Sequence, residues 1–115
     1  MKIRLDHIHR LNLHALLGAQ RGDLATMRAL WALQDKLALT SEEEKTIELK
    51  REVVSGQVRA IWNPMLVLPP IDFEFSDVEG AHIRAALKAW NSYGANVDRQ
   101  WLQPLLQAVC PGGLR

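Results

Sequence analysis

The stretch from Ile71 to Trp90 changes its repeat in the middle, and that change limits what the chain can fold into. Ile71, Phe73 and Phe75 alternate with Asp72, Glu74 and Ser76, the period of a half-buried strand. Val78, Ile83, Ala86, Leu87 and Trp90 then recur at helical spacing. Ser76-Asp77-Val78-Glu79 marks the switch as a capping box. The serine hydroxyl accepts an amide N–H of the first turn, and the glutamate accepts from the amide of Ser76. A strand that runs straight into a capped helix needs one face of each covered, and the remaining chain has to supply the cover. Ile83 and Trp90 are expected to lie against the sheet, where Trp90→Ala would cost roughly 3–5 kcal/mol as a core truncation.

At 115 residues the chain is long enough for one core. Lys2-Ile3-Arg4-Leu5 reads as a short first strand, and Asp6 and Asp23 can each cap a helix. Ile8, Leu11, Leu13, Leu16 and Leu17 give the first helix its apolar side. Leu24, Met27, Leu30, Trp31 and Ala38 do the same for the second, with Leu37 near its end. Thr40-Ser41-Glu42-Glu43-Glu44 offers a capping box in either of two registers, Thr40 with Glu43 or Ser41 with Glu44, and opens a short helix ending near Leu49. Val53-Val54-Ser55-Gly56-Gln57-Val58 reads as a hairpin whose return strand runs to Trp62, where Asn63-Pro64 stops it. Asp98 can cap a last helix carrying Trp101, Leu102, Leu105, Leu106 and Val109, with Pro104 predicting a kink or a late start.

The resulting fold class is α+β, one domain over residues 1–110. A small mixed or antiparallel sheet, made of the N-terminal strand, the 50–62 hairpin and the 71–75 strand, is packed by four to five helices. Pro111-Gly112-Gly113 leaves 111–115 as a flexible C-terminal tail. Most of the tryptophans Trp31, Trp62, Trp90 and Trp101 are expected in the core, and an exposed one would serve as an interface anchor.

The chain carries 14 Lys/Arg and 13 Asp/Glu, with acid concentrated in residues 38–80 and both flanks basic. That balance excludes strong non-specific attraction to a polyanion or a membrane. A lone cysteine, Cys110, cannot close an intrachain disulfide and suits a reducing compartment. No apolar run approaches the roughly 20 residues of a membrane span, and the first residues lack a signal-peptide apolar region. The expectation is a cytoplasmic protein with no membrane partner.

The order of elements resembles a group of small phage and prophage proteins. The matching residues are Met1-Lys2-Ile3-Arg4-Leu5, Asp35-Lys36-Leu37, Thr40-Ser41-Glu42-Glu43-Glu44, Trp62-Asn63 and Phe73-Glu74-Phe75-Ser76-Asp77-Val78-Glu79. The chain departs from that group at Met65-Leu66-Val67-Leu68, where the group carries charge, and in its last helix around Val97-Asp98 and Leu105-Leu106-Gln107-Ala108. The resemblance implies an α+β fold and a phage-infected or lysogenic bacterial cell, and it brings no activity.

Residues that could carry chemistry are few. His7, His9 and His14 beside Asp6 are the densest set of metal-ligand types. On a helix, however, His9 points away from the face shared by the other two, and no His-Glu-x-x-His is present. Glu42, Glu43, Glu44, Glu48 and Glu52 read as a solvated helix start rather than a pair split by a cleft. Nothing near Cys110 supplies a base, and no nucleophile elbow, P-loop or dinucleotide fingerprint occurs. The expectation is a protein with no enzymatic activity, no cofactor and no metal.

Two function classes remain. The first is a protein–protein interaction module, a phage accessory or structural protein, binding a protein partner or itself. Its contact is expected at Met65, Leu66 and Leu68, in an apolar segment between Pro64 and Pro69-Pro70 that is either a lid on the core or an interface. The second is a nucleic-acid-binding accessory protein using Arg4, Arg10, Arg21 and Arg28 of the basic ends.

Overall fold

The computed structural model describes residues 1–109. Cys110 and the tail expected at 111–115 lie outside the described residues. Four strands and five helices follow one another as β1 (Lys2–Leu5), α1 (His7–Gly18), α2 (Leu24–Leu37), α3 (Ser41–Thr46), β2 (Lys50–Val54), β3 (Gln57–Ile61), β4 (Ile71–Glu74), α4 (Asp77–Ala89) and α5 (Arg99–Val109). This is an α+β fold. Among the described residues, no helix is long and apolar enough to cross a membrane.

The strands form two antiparallel pairs, β1 with β4 and β2 with β3. The single sheet expected from the sequence is therefore divided, and the hairpin stands apart from the strands in the core. In the first pair Ile3 lies opposite Phe73 and Arg4 opposite Asp72. Alternation does the sorting. Ile3, Leu5 and Phe75 are buried and Phe73 is half-buried. On the outer face Arg4 Nε meets the Asp72 carboxylate at 3.0 Å. Phe75 N donates to Met1 O at 2.7 Å and extends the ladder past the strand ends.

Against this ribbon lie the leucine-rich sides of α1 (Leu13, Leu16, Leu17) and α2 (Leu30, Leu33, Leu37), with Ile83 and Leu87 of α4 and Leu105 and Val109 of α5. The helix starts follow local chemistry. Asp6, Asp23, Thr40 and Ser76 each accept an amide N–H from their own first turn. Thr40 pairs with Glu43, which decides between the two capping registers, and Ser76 pairs with Glu79. The last helix begins directly after Asp98 and carries Pro104 within it, so no late start occurs.

Two expectations about packing are corrected. The buried stripe of α2 is Leu30, Leu33 and Leu37, while Leu24 and Trp31 face out on the opposite side. Helical spacing fits both stripes, and the charged neighbours do not distinguish them. Ile83 is buried as expected, but Trp90 is 38% exposed. It is the C-cap of α4, with ψ at 129°, so its side chain leaves the stripe that the helical repeat would continue. No tryptophan is buried: Trp62 and Trp101 are intermediate and Trp31 and Trp90 exposed. The core is built from leucine, isoleucine and phenylalanine.

The corner between α2 and α3 is held by a buried charge. Arg10 of α1 is 5% exposed. Its Nε donates to Leu37 O at 3.0 Å and its Nη2 to Ala38 O at 2.8 Å. Nη1 and Nη2 reach the two Glu43 carboxylate oxygens at 2.5 and 3.0 Å, the bidentate fork that guanidinium geometry favours. The Phe73 ring lies 5.4 Å from the guanidinium carbon. These hydrogen bonds, Arg10 first and then Thr40, hold the Glu43 carboxyl at about 2 against an ordinary 4.5.

Because this carboxyl is depressed on folding, its contribution is complete above the unfolded value and is lost as pH falls through the folded one. The contribution is on the order of 3 kcal/mol. Glu43→Gln is expected to lower stability at neutral pH by roughly 3–5 kcal/mol, since Arg10 stays buried without its counter-charge. The variant should also flatten the loss of stability between pH 4.5 and 2, the span of the Glu43 shift. Urea titrations at a series of pH values measure both. Trp90→Ala, by contrast, should cost about 1 kcal/mol, which thermal denaturation distinguishes from a core truncation.

Candidate functional site: an unpacked hairpin

The β2–β3 hairpin is legible from its turn. Ser55 and Gly56 both have positive φ, 53° and 78°, the turn that matches the twist of two antiparallel strands. Its register sets Val53 opposite Val58, Glu52 opposite Arg59 and Arg51 opposite Ala60. Every residue from Lys50 to Ile61 is exposed. Val53 is 74% and Val58 68% open to solvent, although a directly opposed β-branched pair is a usual unit of a covered sheet face. Each strand also has one edge with no ladder partner among the described residues.

Among the described residues the hairpin is tied down at its base. Asn63 N donates to Ile47 O at 3.0 Å, and Asn63 Nδ2 to Glu48 Oε1 at 3.1 Å. Arg51 Nη2 reaches Glu44 Oε1 at 2.6 Å. Ile47 is fully buried, so the anchor point is firm while the ribbon above it is uncovered.

The apolar segment after the hairpin divides by alternation. Asn63 closes a turn, its Oδ1 accepting from Met65 N at 3.0 Å and its carbonyl from Leu66 N at 3.0 Å. Met65 is 86% and Val67 71% exposed, Leu66 is intermediate, and Leu68 is 8% exposed. Of the three partner-binding residues expected from the sequence, Met65 is on the surface and Leu66 half so. Leu68 is a core residue of its own chain, and this corrects its assignment to an interface. Sequence reasoning missed Val53, Val58 and Val67. Four consecutive apolar residues between the prolines carry no period that would separate Val67 from Leu68. Nothing in the pattern of the hairpin separates a covered strand from an uncovered one.

The other candidates are scattered. Arg4 is engaged with Asp72 across the outer face of β1 and β4, and Arg10 is buried with Glu43. Arg21 and Arg28 are exposed. The four arginines proposed for phosphate contact therefore do not make one surface, and Arg10 could reach a phosphate only by leaving Glu43. The three N-terminal histidines diverge. His7 is buried with its ring edge-on to Trp62 at 6.1 Å, and His14 is exposed. His9 Nε2 donates to Trp101 O at 2.7 Å. Its Nδ1 lies 3.1 Å from the Asp6 carboxylate, out of line for a hydrogen bond. Among the described residues, no three His, Cys, Asp or Glu side chains converge as a metal site would need. A hollow of about 70 Å³ beside Arg10 and His14 has charged walls already paired, Arg10 with Glu43 and Arg51 with Glu44.

No family model, curated protein or solved structure matches the chain.

The division of the 65–68 segment has a measurable consequence. Leu68→Ser buries a hydroxyl in place of an apolar side chain and is expected to cost roughly 2–4 kcal/mol. Val67→Ser should fall within about 0.5 kcal/mol of the parent. Equilibrium unfolding of the two single variants checks the difference.

Proposed function

We propose that the chain is a small non-enzymatic protein–protein interaction module, and that the β2–β3 hairpin with the Met65–Val67 surface receives its protein partner. One observation carries this reading: a hairpin whose two faces and two outer edges are left uncovered among the described residues, with Val53 set against Val58. An isolated two-stranded hairpin is marginal in water. Val53, Val58, Met65 and Val67 are all exposed and fall within residues 53–67. A second protein surface would bury these side chains, and a strand from it could extend the ladder at either edge. The resemblance of the strand-to-helix switch and the N-terminal strand to small phage proteins supports a phage accessory or structural setting for such a module.

Self-association is the form of this reading that a purified sample tests directly. Sedimentation velocity from low to high micromolar protein is expected to show a concentration-dependent shift to a larger species. Val53→Ser with Val58→Ser should abolish the shift while the melting temperature stays within a few degrees, because neither side chain is packed inside the chain. A species that remains monomeric throughout would remove self-association. Amides of β2 and β3 whose exchange the native partner does not slow would remove the hairpin as the contact.

A further inference from the structure

A second hollow lies where the end of α4, the 90–98 linker and α5 meet α1. Trp90, Tyr93 and Trp101 line it together with Asp98, Ser92, and the Asn12 and Leu16 side of α1. Its volume is about 230 Å³, below the roughly 300–1,000 Å³ of sites for drug-sized ligands. It fits a compact head group rather than a whole cofactor.

The walls are held in place from behind. Tyr93 Oη donates to Leu87 O at 2.7 Å, and Trp101 Nε1 donates to Asp98 Oδ1 at 2.8 Å. Asp98 Oδ2 accepts from Gly94 N at 2.6 Å. The rings of Tyr93 and Trp101 are tilted by 51° with centroids 6.4 Å apart, so they form two walls of a concavity rather than a stack. Burial, and then the Asp98 charge, push the Tyr93 phenol above its ordinary range. Trp90 stands at the rim, more than a third exposed at the end of α4. A large indole left there contributes little to the core.

Asp98 is the carboxylate lining the hollow, and Tyr93 is the other titratable group there. The C-terminal end of α4, the negative end of its dipole, opens at Trp90, and the positive end of α5 begins at Arg99, directly after Asp98. Lys88 and Arg99 are the nearest basic residues in sequence, and neither lines the hollow. Arg99 Nε donates to Gln103 Oε1 at 3.4 Å. Aromatic faces attract a cation through their quadrupole, and a cation whose charge is spread over methyl groups loses little by leaving water. Asp98 already accepts from two internal donors, so it supplies charge more than a free hydrogen-bonding edge. An ammonium that needs several acceptors would be poorly served, whereas a fully methylated one needs none.

We infer that the Trp90–Tyr93–Trp101 hollow binds a quaternary ammonium group, with Asp98 as the counter-charge. This site is independent of the hairpin and does not rest on the interaction reading. The test is an NMR titration of the full chain with tetramethylammonium chloride, reading the indole N–H signals. Saturable shifts are expected for Trp90 and Trp101 in the millimolar range, with Trp31 and Trp62 unmoved. Choline and Nε-trimethyl-lysine carry the same group on different chains, and the tighter of the two identifies the kind of chain that bears it in the natural ligand. The neutral carbon analogue of choline should bind at least tenfold more weakly. Trp90→Ala should weaken tetramethylammonium binding about tenfold or more, and Trp90→Phe, which keeps an aromatic face and a folded chain, should restore most of it. Absence of saturation overturns the inference. So does equal binding of the neutral analogue, which would make the hollow merely apolar, or an unchanged affinity in a folded Trp90→Ala.

Discussion

A single guanidinium fixes how the helices meet. The end of α2 and the start of α3 are consecutive helix termini, and each leaves backbone groups that its own helix cannot satisfy. Arg10 reaches both. It takes the carbonyls of Leu37 and Ala38 at the end of α2 and the carboxylate of Glu43 in the first turn of α3. Burying such a charge is costly, and the cost is met only when the geometry is complete. The arrangement therefore specifies the corner more than it adds net stability: any displacement of α1 against α2 leaves a buried charge short of partners.

The same device occurs a second time. Glu79 closes the capping box of α4, and it also receives Lys36 from the last turn of α2 at 3.3 Å. Lys36 Nζ additionally donates to Glu74 O and lies 4.7 Å from the Phe75 ring centre. Hydrogen bonding from Ser76, ahead of that from Lys36, lowers the Glu79 carboxyl. In both places a glutamate placed by local helix-start chemistry becomes the landing point for a basic side chain of another helix. Capping boxes are written in four consecutive residues, and here they also position tertiary contacts.

This explains which parts of the molecule could be read from the sequence. The caps at Asp6, Asp23, Thr40 and Ser76, the Ser55-Gly56 turn and the strand-to-helix switch depend on neighbours a few residues away, and all are present. What a periodic pattern omits is azimuth and cover. Leu24 and Trp31 fit an apolar stripe as well as Leu30 and Leu37 do, and only the position of α1 decides between them. Val53 and Val58 are β-branched residues set opposite each other, yet among the described residues no helix comes over them. Leu68 sits among apolar neighbours of which two face water. The tryptophans misled for a related reason: size and apolarity suggest the interior, but each occupies an element end or an outer stripe, where half of a ring is enough to cover what lies beneath.

The two strand pairs also differ in how far the chain must travel to make them. Val54 meets Gln57 across a tight turn, whereas Lys2 meets Glu74, so nearly two-thirds of the chain lies inside the loop closed by β1 and β4. The entropy of closing that loop is recovered only once α1 and α2 are packed between its ends. Pairing β1 with β4 therefore costs more chain entropy than pairing β2 with β3, which close over a two-residue turn. During synthesis β1 would have to wait, unpaired and with Ile3 and Leu5 uncovered, until the Phe73–Phe75 segment had left the ribosome.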